Sequence, residues 1–156
     1  MKNLNLFLDD DPENDLTVGL VRLTKDIPDF EFFFALNQYS SNKFTRIKDL
    51  TKIGFYYDYA HPMFKTYDIE TKTQWYFIAN KSSESIKKQE IRELFSDEES
   101  INYLLPNYKD VDYLLKPSDE FADFSLILQP ENLMFHIQDF QLSSETELYQ
   151  LIQYYE

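Results

Sequence analysis

At 156 residues the chain suits a single domain able to bury roughly two-thirds of its unfolded surface. A net charge of −13 disfavours phosphate backbones and anionic membranes as partners, and 17% aromatic residues, 14 of them Phe and 12 Tyr, argue against a disordered chain. With only 2 Gly and no Cys, the dinucleotide fingerprint, the P-loop, disulfides, thiol nucleophiles and cysteine-ligated zinc or iron–sulfur centres are excluded.

Asn3–Leu8 alternates, with Leu4, Leu6 and Leu8 on one face, and reads as a strand. The apolar run there is too short for a signal peptide and no segment is long enough to span a bilayer, so a cytoplasmic protein is expected. Asp9–Asp15 is an acidic turn. Its alternate acids resemble a calcium loop only superficially, because Asn14 and Leu20 stand where that loop needs Gly and Glu. Thr17–Thr24 is apolar and β-branched enough for an interior strand. Asp26–Tyr39 then reads as a central helix, with Asp26 as its cap and Pro28 in its first turn. Phe30, Phe33, Phe34 and Asn37 lie at helical spacing, while Phe32, Ala35 and Leu36 make the helix apolar nearly all round. Such a helix is expected to cross a sheet and to be covered on several sides.

Lys43–Leu50, Ile53–Tyr59, Met63–Ile69 and Thr73–Asn80 read as a meander of four short strands, with turns at residues 60–62 and 70–72. Ile53, Phe55, Tyr57 and Tyr59 share a face, as do Trp75, Phe77 and Ala79, and the short connections imply antiparallel pairing. Residues 82–100 are polar and read as a mobile excursion, with Ile91, Leu94 and Phe95 pinning a short helix. Ile101–Leu105 and Val111–Leu115 flank a tight turn. Ser118 caps a helix with an inner stripe of Phe121, Phe124 and Leu128, ended by Pro130. Leu133–Phe140 alternates as a strand, and Ser144 with Glu147 forms the capping box of a final helix bearing Leu148, Leu151, Ile152 and Tyr155. The expected fold is α+β: one domain, residues 1–156, with a mostly antiparallel sheet, a central meander, and two to four helices packed largely on one face.

Leu105-Pro-Asn-Tyr-Lys-Asp-Val-Asp-Tyr113 resembles the signature of the IPExxxVDY family of Bacteroidetes bacteria. Pro106, Val111, Asp112 and Tyr113 match, and Leu105 replaces Ile conservatively. Asn107 stands where the family has Glu, so no role of that carboxylate carries over. Asp15-Leu16, Leu36-Asn37 and Ile78-Ala-Asn-Lys81 are similar stretches elsewhere in the chain. The resemblance implies an intracellular bacterial domain of similar length and implies no activity. Physically, Pro106 and Asn107 suit a turn, Val111 and Tyr113 point to one sheet face, and Asp112 on the other is placed to hold a backbone or Asn80 amide.

Chemistry is sparse. His61 and His136 lie far apart; His61 precedes Pro62 in a turn and reads as solvated, and His136 shares a strand face with Met134, Gln138 and Phe140. No spacing joins both to Asp112 or Asp139 as a two-His, one-carboxylate metal site. No Gly-x-Ser-x-Gly elbow occurs, and no cofactor is implied. Residues 43–92 hold ten Lys/Arg against six Asp/Glu, whereas no Lys or Arg follows Lys116 and eight acids do. That split suits a basic partner surface or head-to-tail association of two copies, and a solvated acidic surface accounts for it equally.

Three readings follow. The first is a non-enzymatic interaction or accessory domain that meets a protein partner, or itself as a homodimer, through exposed Tyr and an acidic face. The second is a small-ligand binder or enzyme with a pocket of Tyr113, Asn80, Asp112 and His136. The third is RNA binding through the meander at 43–81, where Arg46, Lys48, Lys52, Lys65 and Lys72 interleave with Phe55, Tyr56, Tyr57, Tyr59, Trp75 and Tyr76. The overall negative charge weighs against the third.

Overall fold

The strands with apolar residues on both faces lie at the middle of one antiparallel sheet, where both faces are covered. The computed structural model describes residues 16–40, 42–83, 86–87, 100–118, 123–124 and 133–153. Within them the chain runs β1 (Leu16–Val21), α1 (Asp29–Tyr39), β2 (Thr45–Ile53), β3 (Tyr57–Asp68), β4 (Thr73–Ala79), β5 (Ile86–Lys87), β6 (Tyr113–Pro117), β7 (Gln138–Leu142) and α2 (Glu147–Gln153). Strand order is β2-β3-β4-β6-β1-β7, all neighbours antiparallel, and β5 pairs with the start of β3. The fold is α+β, as the alternation implies.

One face packs Val21, Trp75, Phe77, Tyr113 and Leu115 against Phe32, Phe33 and Leu36 of α1. The other packs Val18, Leu20, Met63, Ile78 and Leu114 against Ile152 of α2 and against Leu104, Leu105 and Val111. The two described helices therefore cover opposite faces rather than gathering on one. Each fully buried Phe or Leu in these layers contributes about 1.5–3 kcal/mol by leaving water. Gly19 in β1 lets the 133–137 segment approach closely: a Cβ there would sit 2.6 Å from Ile137 Cγ2 and 3.3 Å from the Phe124 ring.

The expected second and third meander strands are one strand of 12 residues, β3, and residues 60–62 are its middle rather than a turn. Pro62 is accommodated because β2 bulges opposite it: Ile47 pairs with Met63 and Leu50 with His61, so two β2 residues face one proline that has no N–H to give. The 70–72 turn is present. Asp68 accepts hydrogen bonds from the Glu70 N–H (3.1 Å) and the Thr71 hydroxyl (3.0 Å), and Lys72 takes a left-handed φ of 59°.

α1 begins after Pro28, which stands at the cap without a side-chain hydrogen bond, so Asp26 does not cap the helix. Its exit is fixed by Asn37, whose Nδ2 donates to the Phe44 carbonyl (3.0 Å) and whose Oδ1 accepts the Phe44 N–H (2.8 Å). Lys43 Nζ donates to the Asn37 and Ser40 carbonyls at 2.6 and 3.0 Å, a cation at the negative end of the helix dipole. The expectation that α1 is covered on several sides is corrected: Phe32, Phe33 and Leu36 are buried, but Phe30 and Phe34 are 67% and 69% exposed. Being apolar all round does not itself supply a second covering layer.

Smaller corrections follow from tertiary pairing. Val111 and Tyr113 belong to opposite faces, because regular alternation begins only at Tyr113. The 133–140 run opens as an isolated bridge, Met134 to Leu23, and the strand proper starts at Gln138. Met134 and Phe140 pack on different cores. α2 is capped by Thr146, whose hydroxyl accepts the Tyr149 N–H at 3.2 Å, rather than by a Ser144–Glu147 box. Ser118 extends the pairing with β4, its hydroxyl accepting the Gln74 N–H at 2.9 Å, while the first turn of the helix it is expected to cap lies outside the described residues. The 3–8 strand, the 9–15 turn, the short helix at 91–95 and most of the helix after Ser118 lie outside the described residues, as does most of the 82–100 excursion.

Candidate functional site

Asn80 follows β4 at a sharp bend and is completely buried. Its Oδ1 accepts the Leu105 N–H at 2.8 Å, and its Nδ2 donates to the Tyr108 and Val111 carbonyls, each at 3.0 Å. Its main chain adds an N–H to the Asp112 carbonyl and accepts the Leu104 N–H, at 3.1 and 2.9 Å. One side chain thus shapes the whole 104–112 segment from beneath.

That segment delivers the next two residues to one place. Asp112 accepts the Leu23 N–H on Oδ2 at 2.7 Å, and its own N–H donates to the Val21 carbonyl at 2.8 Å, closing the end of β1. The residue is exposed overall, but its carboxyl group is crowded. Desolvation raises its pKa first; the Leu23 N–H opposes this, Asp26 and Asp110 add like charge, and Arg22 offsets part of it. Tyr113 donates its hydroxyl to Asp29 Oδ1 in the first turn of α1 and stacks on Phe32, with ring centroids 5.4 Å apart. Burial and the Asp29 carboxylate hold the phenol above its ordinary range, so it acts as a neutral donor. Beside them Arg22 donates to Asp110 Oδ2 at 2.7 Å and to Gln138 Oε1 at 2.9 Å.

Asp112 and Tyr113 line a cleft of about 380 Å³ with Asp26 and Asp29 from the β1–α1 connection, Lys81 after β4, and Lys109 from the 104–112 segment. Lys109 Nζ lies 5.3 Å from the centre of the Tyr103 ring, another part of the wall. The cleft therefore offers three carboxylates, two ammonium groups and aromatic surface. Of the four expected site residues, Asp112 and Tyr113 meet there, Asn80 supports it from behind, and His136 is exposed on another segment and does not line it. Among the described residues no three His, Cys, Asp or Glu side chains gather as a metal site needs. The sequence does not mark Asp26, Lys81 and Lys109 as site residues, because only the tertiary fold brings them together; an acid read as a helix cap carries no local sign of a cleft.

His61 is also misplaced by the sequence. It lies buried within β3, not solvated in a turn. The Ala79 carbonyl can only accept, so His61 Nδ1 donates to it (2.8 Å) and Nε2 accepts from Asn102 Nδ2 (3.1 Å). Burial is the largest cause that lowers its pKa to about 4; the Ala79 bond opposes it and Lys52 adds to it. A base with a depressed folded pKa stabilises the fold above its unfolded value, near 6.5, and that stability is lost as pH falls from there through 4. Urea unfolding is expected to show a loss of about 3 kcal/mol across that window, much of it absent from His61→Gln. Equal pH slopes for the two proteins would contradict this.

The basic meander offers less open surface than its sequence suggests. Trp75 and Tyr59 are buried. Arg46 pairs with Asp49 at 2.6 Å, Lys52 lies 3.6 Å from Glu147, and Lys65 sits over the Tyr76 ring at 5.8 Å. No helix among the described residues is long and apolar enough to cross a membrane. In comparisons with family models, curated proteins and solved structures, the chain matches none.

Proposed function

We propose that this chain is a non-enzymatic, cytoplasmic interaction domain of the IPExxxVDY type that docks a protein partner across the cleft and the outer face of α1. The observation that carries this reading is the pair Phe30 and Phe34, one turn apart, each about two-thirds in water on a helix whose other face is the core. Phe30 directly follows Asp29, a cleft residue, so an apolar ridge begins where a charged hollow ends. Exposed aromatics beside a polar rim are what partner-binding surfaces require. The acids Asp26, Asp29 and Asp112 favour a basic segment in the partner. The family assignment rests on Pro106, Val111, Asp112 and Tyr113. Three of these have structural duties that give the signature a reason: Val111 in the core, Asp112 on β1, Tyr113 on α1. Self-association is the related form, because the basic β2 and the acidic C-terminal half's β7 are the two edges of the sheet among the described residues.

Phe30→Ser with Phe34→Ser is expected to change folding stability by less than about 1 kcal/mol, as exposed positions do. The same pair is expected to weaken partner capture roughly thirtyfold or more, the loss typical of an aromatic anchor. Pulldown from native lysate and solution mass at low and high salt read this out. A strict monomer at both salts with the same captured proteins for variant and parent would overturn it.

A further inference from the structure

On the sheet face away from α1, a cavity of about 210 Å³ lies between the sheet and the end of α2, with apolar walls of Leu50, Met63, Ile78 and Ile152. Lys116 of β6, its cross-strand partner Tyr76 and Gln153 of α2 complete the lining. The placement of Lys116 is dictated by the strand: Leu115 faces the α1 core, so residues 114 and 116 both face α2, and one of them is a cation. Its ammonium lies 5.2 Å from the centre of the Tyr76 ring, and Lys65 Nζ lies 5.8 Å from the same centre. No described carboxylate pairs with Lys116, and no lining residue is acidic. Tyr76 spends its hydroxyl proton on Gln74 Oε1 at 2.6 Å.

Lys116 is half-buried against apolar side chains with no described carboxylate beside it, which costs stability, and burial lowers its pKa. Folds keep such a group where something anionic answers it. We propose that this cavity binds a small amphipathic carboxylate, its short apolar body between Leu50, Ile78 and Ile152 and its carboxylate on Lys116. The size bounds the ligand: drug-sized sites begin at about 300 Å³, so a short aliphatic or single-ring acid fits and a long-chain lipid does not. The tyrosine ring shared by Lys116 and Lys65 keeps a second cation near the mouth, which favours a carboxylate over a neutral alcohol. The site is distinct from the cleft, which shares no lining residue with it and lies beside α1 on the other face of the sheet.

Octanoate titrated into the full chain at neutral pH, with 1-octanol as the neutral control, tests this by methyl NMR shifts and calorimetry. Saturable shifts at Leu50, Ile78 and Ile152 are expected for octanoate, with octanol at least tenfold weaker. Lys116→Gln is expected to weaken octanoate by roughly tenfold to a hundredfold, the range of a hydrogen bond to a charged group. Lys116→Met, which removes a half-buried charge with no described carboxylate beside it, is expected to raise the unfolding midpoint of the ligand-free protein. Absence of saturable shifts, equal binding of octanoate and octanol, unchanged binding in Lys116→Gln, or a lowered midpoint in Lys116→Met would each overturn the proposal.

Discussion

Asn80→Ala is expected to lower folding stability by about 4 kcal/mol, close to the largest loss a single truncation produces. The substitution removes little volume; its effect lies in what it abandons. The Leu105 N–H and the Val111 carbonyl are bonded to Asn80 in buried surroundings, and the Tyr108 carbonyl is partly so. Each buried backbone group left without a partner costs about 1–3 kcal/mol, and water has no ready path to replace a carboxamide beneath the segment. The main-chain bonds of Asn80 to Leu104 and Asp112 survive the change, so the segment is loosened rather than freed. Asp112 and Tyr113 would then lose their register against Leu23 and Asp29, and the cleft its shape. Urea unfolding of parent and variant measures the loss directly. A decrease of less than about 1 kcal/mol would mean that the main chain alone holds the segment and that the carboxamide is free for a ligand.

The parts of this fold that a sequence shows are those set by neighbours in the chain. Trp75, Phe77 and Ala79 do share one face of β4, and the 29–39 and 147–153 helices lie where their spacing puts them. The Asp112–Tyr113 pair was legible through the signature and does belong to the candidate cleft. What was hidden depends on partners distant in sequence. Pro62 reads as a turn until the bulge between Ile47 and Leu50 is seen to receive it. His61 reads as solvated until Ala79 and Asn102 close over both its nitrogens. The cap of α2 is Thr146, two positions past Ser144, in a run where Ser143, Ser144 and Thr146 are three hydroxyl residues equally able to cap by type. α1 is apolar nearly all round and still half-uncovered, because hydrophobicity says that a side chain gains by burial, not that the chain supplies an element to bury it. The surplus is the surface on which the proposed function rests.

Phe33→Ala and Phe34→Ala, one residue apart in α1, are expected to behave as opposites. Phe33 is 4% exposed and its ring stacks on Phe64 with centroids 3.8 Å apart. It also meets Phe32, Phe44, Phe77 and Tyr113, four rings from α1, the approach to β2, β4 and β6. Removing it leaves a hole between helix and sheet, and none of those neighbours can collapse inward without leaving its own contacts. The expected loss is about 4 kcal/mol, combining lost transfer energy, a cavity, and several ring pairs. Phe34 shares the composition, the helix and nearly the same position, but it is 69% exposed. Its truncation is expected to move stability by no more than about 0.5 kcal/mol. Chemical denaturation of both variants gives the comparison, with the partner capture described above as the second axis. Phe33→Ala should weaken capture only in proportion to its unfolded fraction, whereas Phe34→Ala should weaken it while fully folded. If Phe34→Ala instead destabilised the protein as Phe33→Ala does, the outer face of α1 would be a covered core surface, and the docking ridge would have to be sought elsewhere.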